Sequence, residues 1–404
     1  MRSGARPFSV SRSLHALVAV AGLVCTLAAA RVLPAAAFET DAEYAVLMDA
    51  ATGAVLFEKR AHEPMAPASM SKLMTAYMMF EKLKDGTFEL DDTFHVSEKA
   101  WRMGGSKMFT RVDTDIPIHD LLRGIIVQSG NDACVVVAEG LAGTEEAFAE
   151  AMTRRAREIG LKNSTFANST GWPDPRQRMS AYDLAKLSQI IVTEFPDYFP
   201  IYAERDFTWS DIRQENRNPL LGVYQGADGM KTGHTEESGY GLVGTAVRRV
   251  PLTGNEGTVE RRLIVVVNGL DSDGARAAEA RKLLDHGFRD FRAYALFLGG
   301  QIIQDNPVEV WGGSMSRLPV SVREDITMFL TNEEREGMEV KLAYEGPVQA
   351  PIAYNDEVGA LIVSVPGREP VRYPVFAAVA VEKAGFTKRV LDGLMHVVDT
   401  RLLN

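Results

Sequence analysis

The chain is poor in cysteine, in clustered histidine and in excess basic charge. Only two of its 404 residues are cysteines, and Cys25 falls in an N-terminal apolar leader, which leaves Cys134 alone in the remainder. A lone cysteine forms no internal disulfide, so stability must come from the size of the core. Lys and Arg total 44 against 54 Asp and Glu, a formal net charge of −10 that argues against a general nucleic-acid partner. The seven histidines form no His-x-x-x-His pair, so neither a structural zinc site nor any other metal is expected. No Gly-x-Ser-x-Gly elbow occurs, which sets aside a lipase-like hydrolase. Two cofactor motifs also fail. "GYGLVG" at 239–244 runs into a strand pattern instead of opening a helix, and in "GADGMKTG" at 226–233 Met230 breaks the Gly-Lys-Thr of a phosphate loop. No cofactor is therefore expected.

What remains is the composition of an ordinary globular protein, 46% hydrophobic and 24% charged, long enough for two cores. Arg2, Arg6 and Arg12 precede the apolar run Leu14 to Ala30, and Ala35-Ala36-Ala37 follow. That order describes an export signal over residues 1–37, cleaved after Ala37. Residues 38–292 alternate two short strands, a series of helices and, after Gly226, strands joined by the polar turn "LTGNEGTVE", closed by a helix at 274–292. The pattern predicts an α+β domain in which helices pack on a mainly antiparallel sheet. From about residue 295 to 384, short alternating runs between Gly, Pro and Asn/Asp turns predict a small all-β domain. In residues 385–404, Phe386, Val390, Leu391, Leu394, Met395, Val398 and Leu402 recur at helical spacing. This amphipathic helix suits a membrane interface or a protein surface equally well.

Three short pieces carry chemistry: "SMSK" at 69–72, "SGN" at 129–131 and "KTG" at 231–233. Ser69 and Lys72 share one helix face, about one turn apart. A serine hydroxyl is a poor nucleophile without an adjacent base, and a lysine serves as base only when neutral. Burial, or a second cation such as Lys231, lowers a lysine pKa. The amino end of the helix favours the negative charge that develops during attack. Gly229 and Gly233 let another backbone approach the Lys231 strand, where an extended peptide can add.

Ser-x-x-Lys, Ser-x-Asn and Lys-Thr-Gly in this order resemble the signature of the serine penicillin-interacting enzymes. With "PASMSKLMTAY", "RGIIVQSGNDACVVVAE", "IGLKNSTF" and "VQAPIAYNDEVGALIV", nearly the whole chain after residue 37 resembles the low-molecular-mass penicillin-binding proteins that act as D-alanyl-D-alanine carboxypeptidases. The resemblance implies a β-lactamase/transpeptidase-like fold. It implies Ser69 as acylated nucleophile, Lys72 as general base, Ser129 as proton relay to the leaving amine and Asn131 as substrate-orienting group. It further implies that Lys231 and Thr232 hold the substrate carboxylate and that the backbone N–H groups of Ser69 and His234 form an oxyanion hole. Arg276 becomes a further carboxylate-site arginine, and Arg217 either a helper or a surface arginine. The implied partners are peptidoglycan stem peptides, β-lactams as acylating inhibitors and, through the terminal helix, the periplasmic face of the inner membrane.

A β-lactamase, a D,D-endopeptidase and a penicillin-binding sensor are the rivals. Class A β-lactamases use a glutamate-activated water, and no glutamate lies between Asn163 and Asp183. The long β tail and terminal helix favour the carboxypeptidase over the endopeptidase. A sensor needs transmembrane helices and a cytoplasmic module, and neither is visible in the sequence.

Overall fold

The computed structural model describes residues 38–385, leaving aside the side chains of residues 304–307. The leader and the terminal amphipathic segment from Phe386 onward lie outside the described residues. The central antiparallel sheet is built from β1 (Tyr44–Asp49), β2 (Val55–Lys59), β3 (Ala227–Thr235), β4 (Gly239–Thr253) and β5 (Thr258–Leu270). They lie in the order β3–β4–β5–β1–β2. β4 and β5 form the expected hairpin around the polar turn, with Tyr240 opposite Leu270 and Pro251 opposite Thr258.

Successive residues of a strand point to opposite faces, and both faces of this sheet are covered. Val46, Met48, Ile264 and Val266 join the core beneath the helices on one side. Leu47 and Leu263 point to the other, where they lie so close to Gly287 that a side chain there would meet both. Double burial explains why β5 reads as the unbroken apolar run "LIVVV". The helices are α1 (Lys72–Lys84), α2 (Ile118–Ile126), α3 (Asn131–Ala142), α4 (Glu145–Glu158), α5 (Ala181–Glu194) and α6 (Asp273–Asp290). They agree with the helical spacing of the sequence to within two residues. Residues 93–117 hold short strands and loops, with one turn of helix at Glu98–Arg102.

The C-terminal part adds a second sheet of six strands, in the order Glu339–Ala343, Glu357–Ser364, Val371–Ala377, Arg317–Ser321, Ile302–Trp311 and Val348–Gln349. Val308, Leu318, Val320, Leu361 and Val375 form its own core. It is not purely β, because a short helix at Asn332–Gly337 starts on a capping box between Thr331 and Glu334. The border expected near residue 293 is crossed by hydrogen bonding. β6 (Arg292–Phe297) runs parallel to the end of β4, with Ala293 opposite Leu252, and pairs with β7 (Ile326–Leu330).

Arg261, fully buried on β5, ties this junction together. Its guanidinium pairs with Asp49 at 3.2 Å, donates to the carbonyls of Gly287 and Phe291 at 2.7 and 2.9 Å, and lies 4.1 Å from the Phe329 ring centre. A buried charge is tolerated only when paired and hydrogen-bonded in this way. Among the described residues no helix is long and apolar enough to cross a membrane.

Candidate active site

Ser69 does not sit in the α-helix itself. It occupies a 3-10 turn, Ala68–Ser71, that leads into α1. No side chain caps either segment, so the capping role that a serine here could have played is not taken up. Ser71 instead donates to the Ala68 carbonyl at 3.0 Å and is buried. Ala68 has a positive φ of 46°, a conformation that costs a non-glycine residue about 1–3 kcal/mol. Two glycines press on this turn. A Cβ on Gly171, itself at φ +81°, would lie 1.9 Å from the Ala68 carbonyl oxygen. One on Gly233 would lie 2.9 Å from the Pro67 carbonyl oxygen. The glycine of "KTG" therefore has a packing reason: it lets β3 lie against the nucleophile's turn.

Lys72 is buried, with its Nζ 2.8 Å from Ser69 Oγ and 2.6 Å from the Thr170 carbonyl oxygen. Burial brings its pKa down from 10.5 to about 8, against the pull of Asp132, and the Arg217 charge lowers it further. Arg217 is thus one cation acting on Lys72, and the two buried lysines, Lys72 and Lys231, repel each other. Lys231 is shifted in the same direction. Burial first, then repulsion from Lys72 and Arg217, hold it well below an ordinary lysine. Cys134, also buried, is pushed up to about 12 by burial and stays a neutral thiol.

Ser129 bridges α2 and α3 with φ +60°, a second strained non-glycine residue in the site. The strain is held by hydrogen bonds from the two residues that follow it: Gly130 N–H to the Gly124 carbonyl at 2.8 Å, and Asn131 N–H to the Ser106 carbonyl at 2.8 Å. Its Oγ accepts from Lys231 Nζ at 2.9 Å. Gly130 takes the place of the aspartate of Ser-Asp-Asn, and a Cβ there would lie 2.9 Å from the Met108 nitrogen. A carboxylate is supplied two residues later. Asp132 accepts from the N–H groups of Met108, Phe109 and Thr110 at 2.7, 2.8 and 3.0 Å, latching the 103–110 loop. Asn131 donates to the Gly104 carbonyl at 2.8 Å.

On β3, Lys231 and Thr232 are buried at the cleft, whereas His234 is exposed and stacks on Tyr240 at 3.9 Å. Arg276 donates to the Gly233 carbonyl at 3.5 Å and pairs with Asp273, while its buried Nε finds no partner among the described residues. An unpaired buried donor beside Lys231 and Thr232 suits an incoming carboxylate. Arg217 reaches Ser106 Oγ at 2.6 Å, so it belongs to the site rim. Of the residues singled out from the sequence, Ser69 thus lies on the nucleophile's turn, Lys72 opens α1, Ser129 and Asn131 lie at the start of α3, Lys231, Thr232 and His234 lie on β3, and Arg276 lies on the first turn of α6. Among the described residues no cluster of His, Cys, Asp or Glu could hold a metal ion.

Sequence reasoning missed the segment 168–172. Asn168 Oδ1 accepts from the N–H groups of Thr170, Gly171 and Trp172 at 3.1, 2.8 and 3.1 Å, which aims the Thr170 carbonyl at Lys72. "NSTG" at 168–171 is an Asx-turn signature that could have flagged it.

The family described as D-alanyl-D-alanine carboxypeptidase, peptidase S11, matches residues 30–255. The C-terminal domain of penicillin-binding protein 5 matches residues 291–383. This chain belongs to the D-alanyl-D-alanine carboxypeptidase family. It is 33% identical over 359 residues to D-alanyl-D-alanine carboxypeptidase DacD of Escherichia coli K12, covering 87% of this chain and 89% of that protein. Penicillin-binding protein 5 from Haemophilus influenzae superposes with a TM-score of 0.72 at 32% identity, over 86% of this chain and 99% of that one. Penicillin-binding protein D2 from Listeria monocytogenes, solved in its ampicillin-bound form, superposes with a TM-score of 0.55 at 27% identity, over 62% of this chain and 99% of that one.

The packing at Gly171 yields a direct test. Gly171→Ala forces a Cβ into the Ala68 carbonyl from a left-handed backbone, so the melting temperature should fall by several degrees, the equivalent of roughly 1–3 kcal/mol. The acylation rate with a labelled penicillin should fall with it, because the Thr170 carbonyl moves away from Lys72. A variant with unchanged melting and acylation would show that the turn does not depend on this contact.

Proposed function

We propose that this protein is a serine D-Ala-D-Ala carboxypeptidase that removes the terminal D-alanine of peptidoglycan pentapeptides through an acyl-enzyme at Ser69. The observation that carries the reading is the convergence of two hydroxyl–lysine pairs, Ser69 with Lys72 at 2.8 Å and Ser129 with Lys231 at 2.9 Å, in one buried cleft. Neutral Lys72 takes the proton as Ser69 Oγ attacks the carbonyl carbon of the penultimate D-Ala. The N–H groups of Ser69 and His234 receive the oxyanion. As the tetrahedral intermediate collapses, the peptide C–N bond breaks and Ser129 passes a proton to the leaving amine. Lys231, Thr232 and Arg276 hold the carboxylate of the departing D-Ala, and Asn131 orients the acyl portion. Water then attacks the ester, releasing the shortened peptide and restoring Ser69. A penicillin acylates the same serine, opening its lactam ring.

The role of Thr170 supports a peptidase over a β-lactamase. Lys72 has a backbone carbonyl as its second partner, where fast lactam turnover needs a carboxylate that activates water. The basic, apolar and small-residue order of residues 1–37 supports an export signal, and the amphipathic spacing in 385–404 supports a helix that rests on the outer surface of the cytoplasmic membrane.

Wild-type protein should release D-Ala from a peptide ending in D-Ala-D-Ala and form a stable adduct with a labelled penicillin, and Ser69→Ala should abolish both. Release that survives in Ser69→Ala would overturn the assignment, and rapid penicillin turnover by the wild type would point to a β-lactamase. Removing residues 385–404 should shift the protein from the membrane to the soluble fraction with its activity kept. Membrane binding that persists in the shortened chain would refute the anchoring role.

A further inference from the structure

We propose that Trp172 is a specificity-determining wall of the cleft, packing against the side chain of the residue that precedes the D-Ala-D-Ala pair. The proposal rests on the carboxypeptidase reading above and adds the substrate feature that the site selects.

Trp172 is 47% exposed, an unusual state for a tryptophan that is otherwise held rigidly. Its N–H bonds to Asn168 Oδ1 and Thr170 Oγ1, each at 3.1 Å, and its carbonyl accepts from Asn168 Nδ2 at 3.0 Å. The residue before it, Gly171, is wedged against the Ala68 carbonyl, next to the nucleophile. The residue before that supplies the carbonyl bound by Lys72. The main chain that carries the indole is therefore fixed relative to Ser69 and Lys72.

Its outer edge reaches the opposite wall. A single point in space, where a Cβ on Gly105 would stand, is 2.8 Å from Trp172 Cζ3 and 2.8 Å from Asn131 Nδ2. Gly105 also has a positive φ of 72°, so this loop tip is shaped for a close approach without a side chain. Trp172 thus stands beside the amide of Asn131, across from the Gly104-Gly105 tip.

The chemistry of the cleft gives its direction. The carboxylate end of a peptide belongs with Lys231, Thr232 and Arg276. The acyl portion must then leave past Asn131, which brings the next side chain against the indole. An aromatic face carried on an anchored main chain favours an extended methylene chain, such as that of a diamino acid, over a methyl group.

The test uses the full protein and two peptides, diacetyl-L-Lys-D-Ala-D-Ala and acetyl-L-Ala-D-Ala-D-Ala. Trp172→Ala should lose about tenfold more kcat/KM on the lysine peptide than on the alanine peptide, mainly through KM, and Trp172→Phe should retain most of the preference. In a Ser69→Ala background, the lysine peptide should quench indole fluorescence, and Trp172→Phe should remove that quench. Equal losses on both peptides, or a quench that survives Trp172→Phe, would overturn the role of Trp172 while leaving the enzyme assignment standing. A wild-type protein that releases D-Ala from neither peptide would overturn both.

Discussion

Removing Lys72 from water is the constraint on which the site depends. An exposed lysine would stay charged at neutral pH and could not accept a proton from Ser69. Here the ammonium has two fixed partners, Ser69 Oγ and the Thr170 carbonyl, and burial is the largest influence on its titration. The apolar residues that follow it on α1, among them Leu73, Met74, Tyr77 and Phe80, are all buried and keep the start of the helix away from solvent. The core is thus part of the chemistry, because the same packing that stabilises α1 sets the protonation state of its first residue.

The surrounding structure spends conformational strain around that lysine. Ala68 and Ser129, one beside the nucleophile and one the relay itself, both sit in the left-handed region. Such strain persists only where neighbours over-determine it. Gly171 and Gly233 crowd the Ala68 turn, and the N–H groups of Gly130 and Asn131 pin the backbone around Ser129. Asp132 gathers three successive N–H groups of the 103–110 loop and so fixes the wall opposite β3. Rigidity of this kind holds the two hydroxyl–lysine pairs in register without help from a ligand.

Much of this was legible in the sequence. Strand and helix positions followed from periodicities of two and 3.6, and the three motifs named Ser69, Lys72, Ser129, Asn131, Lys231 and Thr232, all of which meet at the cleft. Less legible was what depends on contacts between distant segments. Ser69 lies in a 3-10 turn because Gly171 and Gly233 press on it from segments over 100 and over 160 residues away, approximately 1.5 chain-lengths of a small domain in the latter case. Arg217 acts on Lys72 from outside the three motifs. The Thr170 carbonyl was invisible to side-chain motifs because it is backbone. The domain border was blurred by β6, whose pairing with β4 no local pattern announces.

The central claim is that neutral Lys72 activates Ser69. Its most direct test is the rate at which a labelled penicillin acylates Ser69, followed from pH 6 to pH 10 on a stopped-flow timescale. Raising the pH removes the Lys72 proton and so increases the reactive fraction. The account predicts a rate that rises through an inflection at about 8. A rate independent of pH over that range, or one that rises only near the ordinary lysine value of 10.5, would contradict it.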